Sequence, residues 1–156
     1  MPIAERVAWD SDVVIALLAQ EPPRYRVLKH AVGRAEAHEL EIVVSALCLC
    51  EVGVLHTPDP QDDAERMILG FFEQPWTIVR QVDSFVGARA RELIRQHGLK
   101  GADAAHVAAA MLTPGVSEFW TYDKDLRSKC SALAAQGLPV CEPRWRDDQP
   151  ALDLDE

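Results

Sequence analysis

A chain of 156 residues that is 48% apolar can bury a full core of its own, so one compact domain that needs no stapling by disulfides or a structural metal is expected. Its longest unbroken apolar run, residues 13–19, is far too short to cross a bilayer. A formal charge of −9 argues against a broadly basic nucleic-acid-binding surface, although residues 144–156 alone hold five acids against two arginines.

The opening MPIAERVAW lacks the basic-then-apolar order of a secretory leader, and a cytoplasmic protein is expected. Residues 6–9 read as a strand running into Asp10, whose carboxylate is expected to face solvent at the strand end; an apolar helix follows over 13–18. Pro22 and Pro23 end that helix and open a second over 24–38. Residues 40–44 are β-rich, and Ser45 is expected to cap a helix over 46–56 that contains Glu51. Residues 57–62, with two prolines, read as a loop, followed by a helix over 62–74 and a third strand over 76–79. Asp83 caps a long helix that stops at Gly98. Residues 102–112 form a helix with small apolar side chains on nearly every face, which implies close packing. A fourth strand over 118–121 follows the Thr113-Pro114-Gly115 turn, then a short helix after Asp123 and Asp125, and Val140 opens a small last strand.

Strands separated by helices throughout predict a three-layer α/β/α sandwich with a central, mainly parallel sheet. One domain is expected over residues 1–143, with an acidic tail over 144–156, frayed or loosely docked. Cysteines at 48, 50, 130 and 141 match neither a zinc ribbon nor a redox pair and are expected as reduced, mostly buried thiols, the first two in a core helix.

In parallel α/β sheets ligands gather beyond the carboxyl ends of the strands, and Asp10 and Asp123 both follow strands. Each acid also has a plainer reading. Asp10 can cap the next helix, and Asp103 suits a helix first turn through the dipole alone. Glu51, nearly the only charge in its apolar surroundings, must be paired, coordinated or on an exposed edge. One of Asp123 and Asp125 is expected to cap the helix that follows, leaving the other free. Taken together, four acids at one rim would repel, by about 4 kcal/mol for a pair about 4 Å apart, unless a cation joined them. Oxygen donors of this kind select Mg²⁺ or Mn²⁺.

The segments DSDVVIALL, SALCLCEVGVL, LKGADAAHVAAAM and FWTYDKDL, in this order and spanning nearly the whole chain, resemble the four acidic motifs of PIN domains. The most specific part is Asp-Ala-x-His with its Ala-rich helix, followed by Thr-x-Asp and a further Asp. The resemblance implies Asp10, Glu51, Asp103 and Asp123 as metal ligands, with Thr121 beside the metal and Ser11, Asp12 and Asp125 in supporting places. Asp12 departs from the Asn or Ser more common there and is read as a helix-start residue. His106 is read as a hydrogen-bonded structural residue, and Ser11 and Ser45 as caps. By the same resemblance the chain is expected to be a Mg²⁺- or Mn²⁺-dependent ribonuclease similar to VapC-type toxins, with RNA as substrate, a cognate antitoxin as partner and a homodimeric assembly. Two other readings stay open. One is a phosphatase of the haloacid-dehalogenase type, with Asp10 as nucleophile, Asp12 as acid/base and Lys100 nearby. The other is a non-catalytic acidic module that binds a metal or a protein.

Overall fold

A computed structural model describes residues 3–53 and 61–145 of the chain. Five strands, β1 (Glu5–Trp9), β2 (Leu40–Ser45), β3 (Thr77–Arg80), β4 (Val116–Trp120) and β5 (Val140–Cys141), form one sheet in the order β3-β2-β1-β4-β5. Every pairing is parallel. The connections are helical: α1 (Ser11–Leu18) and α2 (Arg24–Glu36), then α3 (Leu47–Glu51) and α4 (Gln61–Phe72), then α5 (Ser84–His97) and α6 (Gly101–Leu112), and finally α7 (Lys124–Lys129) with a 3₁₀ turn over Ser131–Gln136.

Alternation along the strands builds a core on each face of the sheet. Val7, Trp9, Ile42, Val44 and Trp120 pack with α1, α2 and α4. Ala8, Val43 and Phe119 face the other way, onto α5, α6 and α7. The expected three-layer sandwich is therefore present. Among the described residues no helix is long and apolar enough to cross a membrane.

Most elements lie within two residues of their expected positions. Gly98, at φ 67°, ends α5 in the left-handed conformation expected of a helix-stopping glycine, and Asp83 caps the same helix through Val86 N–H at 3.0 Å. The expected helix over 46–56 is a correction, because α3 stops at Glu51. At Gly53 the backbone lies so close to Cys50 that a Cβ would be 3.1 Å from the Cys50 carbonyl oxygen. Residues 54–56, and most of the loop expected over 57–62, lie outside the described residues. Nor is α3 a core helix: Cys48 is buried, whereas Leu49, Cys50 and Glu51 are exposed. All four thiols are free, Cys48 and Cys130 buried, Cys141 partly so. Ser45 is a second correction, since it is the last residue of β2 and its hydroxyl bonds His106 Nδ1 at 2.6 Å in place of a helix end. The first tail residues are docked: Arg144 pairs with Glu118, and Trp145 stacks on His30 with ring centroids 3.9 Å apart.

Strand order fixes where a site can form. The chain moves outward from β1 to β2 and β3, then returns to place β4 on the opposite side of β1, so the topological switch falls between β1 and β4. Asp10 follows β1 and Thr121 follows β4, one on each side of that crevice.

Candidate functional site

Asp10 is the N-cap of α1, accepting the Ser11 N–H on Oδ1 at 2.9 Å. The capping reading thus holds for Asp10 and fails for Ser11, whose hydroxyl donates instead to Glu51 Oε1 at 2.9 Å. Asp10 is only 7% exposed, correcting the expectation of a solvent-facing carboxylate. Its Oδ2 accepts from the Thr121 hydroxyl at 2.8 Å. Burial pushes the Asp10 carboxyl above its ordinary pKa, and Glu51 adds to the rise while His106, Thr121 and the Ser11 amide oppose it.

Thr121 is fully buried and connects three acidic residues. Besides Asp10, it lies 3.3 Å from Asp12 Oδ2, and its oxygen accepts the Asp123 N–H at 3.1 Å. Asp12 Oδ2 also accepts the Tyr122 N–H at 2.9 Å, so Asp12 ties α1 to the segment after β4 instead of serving only as a helix-start residue. The other Asp12 oxygen is buried with no hydrogen-bond partner. Burial, then the charge of Asp10, raises this carboxyl to a pKa of about 6.

Asp103 sits in the first turn of α6, half-buried. Its pKa is raised by desolvation and then by the charges of Asp10 and Asp123, with His106 and Lys100 pulling it back. Asp123 caps α7, its Oδ1 accepting from the amides of Asp125 and Leu126 at 2.9 and 3.1 Å. Asp125 turns away and pairs with Lys129 at 3.0 Å. Glu51, at the end of α3, pairs with His106 Nε2.

The structure therefore gathers Asp10, Glu51, Asp103 and Asp123 along one rim: Glu51 acts on Asp10, and Asp10 and Asp123 both act on Asp103. Among the described residues, no three His, Cys, Asp or Glu side chains are drawn together closely enough to hold an ion. The donor chemistry nonetheless suits one. The set is entirely hard oxygen, burial raises the pKa of two of its carboxyl groups (Asp10 and Asp103) and of the neighbouring Asp12, and one buried Asp12 oxygen is without a hydrogen-bond partner. That is an excess of poorly compensated negative charge, which a hard divalent cation relieves.

Sequence reasoning singled out the four acids and Thr121, and the structure brings these residues to the same rim. It read Ser45 and Ser11 wrongly as caps, and it did not connect His106 with Glu51. The only signals for those links were a lone histidine in an alanine-rich helix and serines beside acidic positions.

A twisted parallel sheet with an acidic rim at its switch point defines the class of α/β domain to which the PIN fold belongs. The sequence profile of the PIN domain matches residues 7–131, and the chain belongs to the PIN domain family. Comparison with curated proteins gave no match. Among solved structures, the chain resembles one in a toxin–antitoxin complex from Klebsiella pneumoniae, with 22% identity, a TM-score of 0.58, and coverage of 90% of this chain and 99% of that one. It also resembles a chain of VapBC2 from Rickettsia felis, crystallised with a DNA fragment from its promoter, at 15% identity, a TM-score of 0.59 and coverage of 86% and 98%. A third is VapC20 of Mycobacterium tuberculosis, described as a sarcin–ricin loop cleaving toxin, at 17% identity, a TM-score of 0.59 and coverage of 78% and 93%. At these identities the likeness establishes the fold alone. Family membership also sets aside the phosphatase reading, as does the bonding of Asp12 to the Tyr122 amide instead of standing free as an acid/base.

Proposed function

We propose that this PIN domain is a Mg²⁺- or Mn²⁺-dependent endoribonuclease and the toxin of a type II toxin–antitoxin pair. The observation that carries the reading is the meeting of Asp10, Glu51, Asp103 and Asp123, from four separate parts of the chain, in one field of mutual repulsion beside the sheet's switch point. Family membership and the likeness in fold to chains from toxin–antitoxin systems support it.

Asp10, Glu51, Asp103 and Asp123 would hold the cation. When bound, it supplies charge compensation at the scissile phosphodiester and a more acidic water. Thr121 holds Asp10 in place through Oδ2, and Asp12 pins the Thr121–Tyr122 backbone against α1. Asp103 or Asp123 orients the attacking water in line with the leaving 3′ oxygen. Attack forms one P–O bond and breaks the P–O3′ bond, leaving a 5′-phosphate and a 3′-hydroxyl.

The partner on this reading is a small antitoxin that places a basic side chain among the acids, and the working assembly is a cytoplasmic homodimer. Co-purification with a small protein from the adjacent reading frame would support the toxin assignment, and a lone gene would count against it.

The direct test is to incubate the purified chain with total RNA, with Mn²⁺, Mg²⁺ or EDTA, and to map new 5′ ends. Cleavage should require the metal. Asp10→Asn removes the buried charge at the centre of the set and should cost several kcal/mol of transition-state stabilisation, about a hundredfold or more in rate. An Asp10→Asn chain with undiminished metal-dependent cleavage would remove the proposal.

A further inference from the structure

Glu51 has little secondary structure around it to hold its side chain. It ends a five-residue helix, and its side chain is 41% exposed. A long carboxylate in such a place samples many rotamers unless something fixes it. Two side chains meet it, and both reach the same oxygen: Ser11 Oγ at 2.9 Å and His106 Nε2 each contact Oε1.

His106 is itself rigid. It is 2% exposed, midway along α6, between Ala105 and Val107, which are buried with the rest of that helix in the core shared with the sheet and α5. A buried imidazole needs partners at both nitrogens, and here they are Glu51 at Nε2, with Ser11 Oγ 3.4 Å from the same nitrogen, and Ser45 at Nδ1. An ionised carboxylate only accepts, so Nε2 carries a hydrogen toward Glu51. In the neutral ring Nδ1 must then accept, and the Ser45 hydroxyl, at 2.6 Å, is the donor. The chain of bonds runs from the end of β2, through α6, to the end of α3.

We propose that Ser45 and His106 form a positioning relay that fixes Glu51 through Oε1 and leaves Oε2 for a divalent cation. This rests on the metal-dependent reading above. His106 touches no substrate in this account. It acts through Glu51, as outer-shell partners act on ligating carboxylates and imidazoles. The competing explanation is that His106 merely satisfies the core, and it predicts a loss of stability with no specific loss of metal affinity.

The experiment is Mn²⁺ binding to the intact chain, read by the EPR signal of free Mn²⁺, for wild type, His106→Leu, His106→Gln and Ser45→Ala, each with its thermal midpoint. His106→Leu should weaken Mn²⁺ binding about tenfold or more. His106→Gln, whose amide N–H can donate to Oε1, should recover most of that loss, to within about threefold of wild type. RNA cleavage by His106→Leu should need correspondingly more Mn²⁺ for half-maximal rate. A folded His106→Leu chain that binds Mn²⁺ as wild type does overturns the relay. If His106→Leu does not fold, Ser45→Ala decides, because it removes one hydroxyl and little volume: weaker Mn²⁺ binding supports the relay and unchanged binding overturns it. Wild type that binds no Mn²⁺ sinks the metal reading itself, a distinct result that takes the relay with it.

Discussion

Asp12 bears a cost that its neighbours relieve only in part. One oxygen receives the Tyr122 amide, the other is buried without a partner, and Asp10 stands close enough to raise the carboxyl further, to a pKa of about 6. The ordinary value is 3.8, so between those pH values the folded chain holds a proton that the unfolded chain has released. Stability from this group is therefore complete below pH 4 and is lost as pH rises through 6. Asp12→Asn keeps an acceptor for the Tyr122 amide and abolishes the charge. In EDTA at pH 8 the variant should be more stable than wild type by about 2 kcal/mol, discounted for partial solvent screening. At pH 4 the gap should close, and urea unfolding at both pH values measures it; an equal gap at the two would refute the assignment. The sequence placed Asp12 at a helix start, which is correct but local. Its bond to Tyr122 joins positions 110 residues apart, and nothing in residue type or spacing marks such a partner. Ser45 was misread for the same reason, because a serine after a β-rich run looks the same whether it caps a helix or reaches a histidine on another layer.

Helix α6 is where composition spoke most clearly. Ala104, Ala105, Ala108, Ala109 and Ala110 are all buried, so α5 on one side and the sheet on the other come close to its backbone. Small side chains on nearly every face have no other use in a helix of this length. Ala108, fully buried, has no room for three further carbons, and Ala108→Leu should destabilise the chain by about 1–3 kcal/mol through forced rotamers and backbone shifts. Chemical denaturation gives that number, and a neutral result would mean that the layer is loosely packed. By contrast, α3 was the least legible element. The run Ala46, Leu47, Cys48, Leu49 suggested a buried helix reaching residue 56, yet only Cys48 of α3 is buried and the helix ends at Glu51. Apolar content alone cannot reveal where the helix ends, since the close approach of the Gly53 backbone to the carbonyl oxygen of Cys50 leaves no mark in residue type.

At the scale of the whole molecule, alternating strands and helices made a parallel sheet legible, while the order β3-β2-β1-β4-β5 was not, because periodicity carries no information about which strands become neighbours. That order puts β4 and β5 at one edge and leaves Glu118, in β4, to be neutralised from outside the sheet. Glu118 is buried, with Trp120 Nε1 donating to Oε2 at 2.7 Å and the Cys141 thiol 3.7 Å from the same oxygen. Its other oxygen meets Arg144, which also brings in the segment whose Trp145 stacks on His30 of α2. The pair thus joins the sheet edge to a helix layer through residues assigned, on sequence, to a loose tail. Breaking a fully buried pair costs more than an exposed one, but the Arg144 side chain is 63% exposed and solvent screens it. A coupling of about 1–2 kcal/mol is expected in a double-mutant cycle of Glu118→Gln and Arg144→Ala, measured by urea unfolding. Glu118→Gln keeps an acceptor for Trp120, so its own cost should be the smaller of the two. Additive single effects would show that Arg144 rests on the surface without anchoring the segment. Coupling of the expected size would place residues 144 and 145 within the folded unit and move its boundary past 143.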